Sequence, residues 1–215
     1  MEQILALSAL PYDPQDPVIC FDERPCFLIG ETLMHVPRRP GNVRKEPYAY
    51  EQLGSCALLA AIEPLTGRRL GQVHPQRTKR EYTLVCQALA GMSPDAIKLR
   101  LVQDNLNTHH ARAFYAHVPA AEAFALAERF AFSSTPQSAR WLNMIACECS
   151  VLTRLCLSRR IPTSELLRSE TLALLEERSR KQIKIHWQFS LQAARTKLNT
   201  HYTRVHPQNE KYKET

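Results

Sequence analysis

The stretches Val18-Ile19-Cys20-Phe21-Asp22-Glu23 and Leu99-Arg100-Leu101-Val102-Gln103-Asp104-Asn105 are short apolar runs, and each of them ends on an aspartate. A β-favouring run that ends in a carboxylate is typical of a core strand that brings the acid to the rim of a sheet. After a single strand, an aspartate is most often only a turn residue. Because the pattern occurs twice, we predict that Asp22 and Asp104 form one site.

The order of the predicted elements is typical of an α/β protein. Strands come first, followed by a helix, a strand that carries an acid, and further helices. Pro64-Leu65-Thr66-Gly67 predicts the turn of a β-hairpin, and Thr78 with Glu81 predicts a capping box at the start of a helix that runs to Ala90. We therefore expect a mixed sheet flanked by helices.

The remaining elements follow from proline positions and periodicity. The run from Val18 to Ile29 predicts one strand interrupted at Pro25, or two strands. Later segments are predicted as a helical stretch from Arg112 to Phe130 broken around Pro119, a strand at 130–132, a helix from Trp141 to Arg160, and two helices within Thr163 to Tyr202. We expect a helix end and linker at 1–17, a sheet domain at 18–160, a helical extension at 161–205 and a polar tail at 206–215.

Length and composition indicate a folded protein with one sizeable core. The chain has 215 residues, of which 44% are hydrophobic and 23% charged, and these values are ordinary for a globular protein. No stretch approaches the roughly 18 apolar residues that a membrane span requires, and the start lacks the basic region of a signal peptide. We expect a cytoplasmic protein with no membrane partner.

The cysteines predict reduced thiols in the core. There are seven of them, an odd number, and most lie inside apolar runs. A zinc site is disfavoured because no C-x-x-C pair is present. His109-His110 follows Asp104 and could ligate a metal, but a solvated turn is the favoured interpretation.

The charge balance favours a polyanionic partner. The 28 basic and 21 acidic residues give a formal charge of +7. A loop broken by proline and glycine carries four of the basic residues, and these are candidate DNA-binding residues: Arg38, Arg39, Arg44 and Lys45. A solvated face is the alternative for this cluster, as for any other run of charges.

Four blocks of sequence carry a family resemblance. They are Pro11-Tyr12-Asp13-Pro14 with the first strand, Asp104-Asn105-Leu106-Asn107-Thr108-His109, Trp141-Leu142-Asn143-Met144, and Trp187-Gln188-Phe189 with the residues up to Leu198. From Pro11 to Tyr202 the chain resembles the catalytic half of mariner-like bacterial insertion-sequence transposases of the DDE superfamily. The second and third blocks, at this separation, are its most specific part.

The resemblance implies a fold, a reaction and partners. The fold is ribonuclease-H-like, and the activity is Mg²⁺- or Mn²⁺-dependent cutting and joining of DNA in transposition. Asp22 and Asp104 match the first two catalytic acids of the family, which are also its metal ligands. Double-stranded DNA at element ends and target is the implied partner, and we expect a homodimer near the bacterial nucleoid.

The third acidic position departs from the family pattern. Where the family has a catalytic glutamate, this sequence has Ala146, and Glu148 is the nearest acid. At about 100° per residue, the two positions point about 200° apart on a helix. A decayed element, a deliberate substitution and rescue by Glu148 are the alternatives, and we favour the first two. Otherwise Glu148 pairs with a neighbouring arginine such as Arg154 or Arg159.

The sequence is also compatible with other functions. Family members carry helix-turn-helix modules before the catalytic half, whereas only Met1 to Leu10 precedes the linker here, so we expect weak sequence-specific binding or a separate upstream helix-turn-helix polypeptide. The alternatives are an inactive DNA-binding or dimerising remnant and a non-transposing nuclease of the same fold. A serine hydrolase is disfavoured because the sequence has no G-x-S-x-G.

Overall fold

The computed structural model describes residues 1–31, 50–137, 139–206 and 208. The strands of this part of the chain are β1 (Val18–Glu31), β2 (Tyr50–Glu63), β3 (Arg68–His74), β4 (Leu99–Gln103) and β5 (Phe130–Ser134). The α-helices are α1 (Glu2–Ser8), α2 (Lys79–Met92), α3 (Ala120–Glu128), α4 (Ile145–Leu152), α5 (Ser164–Arg180), α6 (Leu191–Lys197) and α7 (Asn199–Val205). Short 3₁₀-helices span Ala111–Ala116 and Arg140–Leu142, and a π-helical turn spans Thr153–Leu157.

The strands form one mixed five-stranded sheet in the order β3-β2-β1-β4-β5. β1 and β3 both pair with β2 in antiparallel fashion, whereas β4 pairs with β1 and β5 in parallel. The sheet therefore divides into an antiparallel meander and a parallel half. This confirms the mixed sheet flanked by helices that the order of elements predicts.

The two faces of the sheet are covered by different helices. Alternate residues of β1 pack on opposite faces of the sheet, since successive side chains of a strand point to opposite faces. Cys20 packs in one buried cluster with residues of α4, α5 and α6, and we call this side the α5 face. Ile19 and Phe21 pack in the other cluster with α2 and α3, on what we call the α2 face. Each fully buried large side chain contributes about 1.5–3 kcal/mol.

β1 continues through Pro25 as a single strand. Pro25 lies opposite Ala57 of β2, while the pairing of β1 with β4 ends at Cys20. Beyond Cys20, β1 therefore has β2 as its only strand neighbour among the described residues, and a proline that lacks an N–H is tolerated on such an edge. The predicted interruption at Pro25 is wrong, because pairing with β2 on one side is sufficient to continue the strand.

Local signals at turns and caps predict the hairpin and α2 correctly. β2 and β3 are joined across the turn at 64–67, where Gly67 has a φ of 81°. The Thr78 hydroxyl accepts a hydrogen bond from the backbone of α2, and the carboxylate of Glu81 accepts one from the backbone N–H of Thr78. The predicted break at Pro119 is also present, since Pro119 is the N-cap of α3.

The carboxyl-terminal helices share the core of the sheet domain. Leu167 and Leu175 of α5 and Ala194 of α6 belong to the buried cluster on the α5 face. The second of the two predicted helical segments is divided at Leu198, between α6 and α7. The boundaries at 17, 160 and 205 stay predictions, and the shared core argues for one folding unit.

All seven cysteines are free thiols, and five of them are buried. This agrees with the prediction of reduced core thiols. Within residues 1–31, 50–137, 139–206 and 208, none of the helices combines the length and the apolar character that crossing a bilayer requires.

Two glycines give opposite predictions for substitution by alanine. A Cβ at Gly71 of β3 would contact the Leu175 side chain and lie 3.0 Å from Leu172 Cδ2, whereas a Cβ at Gly91 of α2 would meet nothing within 4 Å. We expect Gly71→Ala to lower the free energy of unfolding by about 1–2 kcal/mol through overpacking. Gly91→Ala should raise it by up to about 1 kcal/mol through helix propensity.

Urea denaturation of both variants beside the unchanged chain measures the two effects. An unchanged or higher stability of Gly71→Ala would contradict the close packing of α5 on β3.

Candidate active site

The register between β1 and β4 brings the two predicted acids to one edge of the sheet. Cys20 is aligned with Val102 in the parallel pairing, so Asp22 and Asp104 each come two residues later. Both side chains are largely shielded, with 18% and 13% of their surface exposed. The structure thus places the acids together, as predicted. Asp104 directly follows β4, but Asp22 lies within β1, so the expectation that this strand ends at Asp22 is wrong.

One nitrogen of Arg140 lies close to both carboxylates, so its distances show how near the two acids are to each other. Nη2 of Arg140 lies 2.9 Å from Oδ1 and 3.2 Å from Oδ2 of Asp22. The same nitrogen lies 3.7 Å from Oδ2 of Asp104. Two carboxylates that share one nitrogen at these distances can also share one small cation.

The pKa values of the two carboxyl groups are shifted in opposite directions. Burial raises the pKa of Asp22, although the guanidinium of Arg140 and the N–H of Glu23 act against this. Burial also acts to raise the pKa of Asp104, but hydrogen bonding and charge from His109, together with Arg140, lower it below the usual value. Asp104 is therefore held firmly in the ionised form, whereas the charge on Asp22 depends more on a nearby cation.

His109 is a buried imidazolium between two carboxylates. Its Nδ1 lies 2.6 Å from Oδ1 of Asp104, and its Nε2 lies 3.0 Å from Oε1 of Glu23. Burial lowers the pKa of His109, but the hydrogen bonds and charges of Asp104 and Glu23 outweigh burial and raise it to about 9. The ring thus holds Asp104 in place through a charged contact, and the interpretation of His109-His110 as a solvated turn is wrong for His109.

Aromatic and amide groups fix the imidazole from its faces and its backbone. The ring of Tyr82 stacks on that of His109 with centroids 4.8 Å apart, and Phe21 contacts the imidazole edge-on. Gln103 accepts a hydrogen bond from the Tyr82 hydroxyl and donates one to the backbone carbonyl of His109. This network lies on the α2 face, so it supports His109, and through it Asp104, from the face of the sheet opposite α4.

Helix α4 is attached next to Asp22. Nδ2 of Asn143, just before the helix, donates a hydrogen bond to the carbonyl of Phe21 at 2.8 Å. Burial and the charge of Asp22 raise the pKa of the Cys149 thiol to about 11. Ala146, three residues before Cys149, shares its side of the helix and is exposed. Position 146 therefore adds no carboxylate to this exposed side of α4.

Glu148 points to the other side of α4, as the helical angle predicts. Its side chain is 1% exposed, and both of its oxygens are bound by guanidinium groups. Nη2 of Arg69 on β3 lies 2.9 Å from Oε2, and Nε of Arg178 on α5 lies 2.7 Å from Oε1. The expected pairing with Arg154 or Arg159 is wrong, since the partners come from distant segments. These contacts favour a structural role for Glu148 over a catalytic one.

The remaining predicted site residues fall outside the part of the chain that the structure describes, and two residues that were not predicted lie at the site. Arg38, Arg39, Arg44 and Lys45 lie outside the described residues. The sequence did not predict the contacts of Arg140 and Glu23. Arg140 contacts both acids, and Glu23 binds His109, which contacts Asp104. Glu23 follows Asp22 directly and faces the opposite side of the strand, so its pairing with a histidine 86 positions away had no local signal.

A divalent ion fits part of this arrangement. Asp22 and Asp104 supply oxygen ligands, and Mg²⁺ is commonly held by one or two carboxylates together with phosphate oxygens. Within the described part of the chain, no group of three or more His, Cys, Asp or Glu side chains is arranged to hold a metal. The donor set therefore suits an ion that completes its shell with water and substrate oxygens.

Comparison with known proteins agrees with this geometry. The family profile described as DDE superfamily endonuclease matches residues 17–168. No curated protein matches the chain. Among solved structures, the Mos1 strand transfer complex is similar over 85% of this chain and 55% of its own, with 13% identity and a TM-score of 0.52. The Mos1 mariner paired end complex with Mn is similar over 99% and 61%, with 13% identity and a TM-score of 0.49.

The comparison with the first of these structures identifies the fold as ribonuclease-H-like, as the sequence resemblance implies. The chain spans little more than half the length of either Mos1 chain.

The paired imidazolium predicts a pH-dependent stability. Because the pKa of His109 is raised from 6.5 to about 9 by folding, its contribution is fully present below pH 6.5 and is lost as the pH rises through about 9. In a metal-free buffer, His109→Gln should cost about 3 kcal/mol of unfolding free energy at about pH 6. That cost should fall by more than half at about pH 9.5.

Denaturant titrations at the two pH values measure this difference. His110→Gln is the matched control, since it removes the adjacent and less buried imidazole, and its effect should be small at both pH values. A cost for His109→Gln that is the same at both pH values would contradict the charged state of the ring.

Proposed function

This chain belongs to the DDE superfamily endonuclease family, and from that premise we propose that it is the catalytic half of a transposase. Its reaction is metal-dependent cleavage of DNA strands and their transfer in DNA transposition. The activity of this chain is low, because Ala146 occupies the position of the third acid. The observation that carries the proposal is the convergence of Asp22 and Asp104 on one cation position, where the pairing of β1 with β4 ends.

Asp22 and Asp104 would hold Mg²⁺ or Mn²⁺. A bound ion supplies Lewis-acid activation of the attacking oxygen and stabilisation of charge on the leaving oxygen. His109 keeps Asp104 ionised and oriented, and Glu23 balances the imidazolium charge. The hydrogen bond from Asn143 to the backbone of Phe21 attaches the start of α4 next to Asp22. This supports position 146 as the place of the third ligand that the family resemblance implies.

Double-stranded DNA is the proposed substrate and partner. The net charge of +7 favours a polyanion, and the similar Mos1 structure is titled a strand transfer complex. We also propose that the chain acts as a homodimer, that a helix-turn-helix polypeptide supplies sequence-specific binding, and that the protein lies at the bacterial nucleoid. These three proposals rest on the family resemblance of the sequence.

An inactive DNA-binding or dimerising remnant is the second candidate function. One specific observation favours it, namely that α4 presents a methyl group at position 146 while Glu148 is bound to Arg69 and Arg178. The two candidates differ in whether any metal-dependent strand cleavage remains or can be restored.

Restoring the third acid tests the proposed reaction. We expect Ala146→Glu to raise Mn²⁺-dependent nicking of supercoiled plasmid DNA by at least about tenfold, because the added carboxylate completes the ligand set. Position 146 is exposed, so the longer side chain should not disturb the core.

Two controls make this result specific. Ala146→Gln has nearly the same size without the charge and should stay at the level of the unchanged chain. Asp22→Asn combined with Ala146→Glu should remove the gain. The proposal of impaired catalysis fails if the unchanged chain nicks as fast as Ala146→Glu.

DNA binding by the chain alone should be non-specific and dependent on salt. Each phosphate contact by a lysine or arginine releases counterions, so we expect the affinity for a random duplex to fall by at least about tenfold between about 50 and about 200 mM salt. Gel shifts with random and inverted-repeat duplexes measure this. Tight binding to one sequence alone, with little dependence on salt, would contradict the proposal.

A further inference from the structure

Arg140 places a positive charge where a shared cation would bind. Its Nη2 contacts both oxygens of Asp22 and lies 3.7 Å from Oδ2 of Asp104. The charge of Asp22 is the largest influence on the guanidinium and raises the pKa of Arg140. The lone pairs that face the gap between the two acids are thus directed at a cation that the chain itself provides.

We propose that Arg140 is a tethered competitor of the divalent ion, and that the ion enters only when the guanidinium leaves the two aspartates. This inference rests on the proposed function, because it concerns the same pair of acids. It adds a residue that sets how readily the site takes up metal.

Steric and electrostatic arguments support the competition. A Mg²⁺ ion sits about 2.1 Å from each ligand oxygen, which is closer than Nη2 of Arg140 comes to either acid. An ion that bridges the acids would therefore occupy the space of the guanidinium. Two cations at that spacing also repel each other, and in the described part of the chain Asp22 and Asp104 are the carboxylates in contact with Arg140 that offset the repulsion.

The position of Arg140 in the fold permits it to leave. Its side chain is 63% exposed, and the contacts to Asp22 and Asp104 are its ion pairs in the described structure. The backbone of its 3₁₀-turn is fixed by buried Leu142 and by Asn143, which is bound to the Phe21 carbonyl. The guanidinium can therefore turn into solvent while the turn stays in place, so the competition is reversible.

The absence of a carboxylate at position 146 makes the competitor more effective. With two acids, one guanidinium neutralises half of the negative charge at the site, and Ala146 adds none. A metal ion gains less from a half-neutralised pair than from a free one. Arg140 and Ala146 therefore act in the same direction, since each lowers the affinity for metal.

Calorimetry of Mn²⁺ binding to the full chain, in the absence of DNA, tests this inference. We expect Arg140→Gln to bind Mn²⁺ about fivefold to tenfold more tightly than the unchanged chain. Arg140→Lys keeps the charge on a more flexible side chain and should fall between them. Arg180→Gln, which removes one exposed charge at the end of α5, is the matched control and should stay within about twofold of the unchanged chain.

Two further measurements locate the effect. Asp22→Asn in the Arg140→Gln background should abolish the tight binding, which assigns it to the two acids. Thermal melting in the presence of a chelator should show that each variant is folded.

The outcomes separate the inference from the proposed function. If Arg140→Gln and the unchanged chain bind Mn²⁺ equally and both lose it on Asp22→Asn, the competition is overturned and the two-aspartate metal site stands. If neither Arg140→Gln nor Ala146→Glu binds Mn²⁺, the metal site itself is overturned, and the competition with it.

Discussion

The parallel ladder between β1 and β4 aligns Cys20 with Val102, two residues before each aspartate. Because side chains alternate along a strand, this register also sends Glu23 to the opposite face from Asp22. His109 then reaches both Glu23 and Asp104. A slip of one residue in the register would invert the faces and separate these groups. The short parallel pairing of β1 with β4 thus fixes the acids, their buried support and the place of α4.

Buried carboxylates in this protein are paired with cations, and the pairs serve different ends. Glu148 binds Arg69 and Arg178, so it joins α4 to β3 and α5 on the side of the helix away from the acids. Glu23 binds His109 and orients Asp104. Removing one partner of such a buried pair leaves an uncompensated charge and is strongly destabilising. The fold therefore keeps the geometry around Asp22 and Asp104 through ion pairs that take no part in the proposed reaction.

The elements that could be predicted from sequence are those with local signals. The capping box at Thr78, the hairpin turn that includes Gly67 and the strand before Asp104 each depend on a few neighbouring residues. The helical angle between Ala146 and Glu148 also predicted their opposite exposure. The roles of Arg140 and Glu23 could not be predicted, since each depends on contacts between residues far apart in the chain. Pro25 misled for a related reason, because only the sheet order shows that, among the residues the structure describes, no strand pairs with the other side of β1 there.

A covalently attached cation differs from a dissolved one in a way that matters at this edge of the sheet. Dialysis or chelation removes a metal ion, but the guanidinium of Arg140 remains within reach of the acids at a local concentration that dilution does not change. The repulsion between Asp22 and Asp104 is consequently offset even when metal is scarce. A metal ion must then displace this fixed occupant, so a single side chain shifts half-occupancy of the site to a higher concentration of free divalent ion.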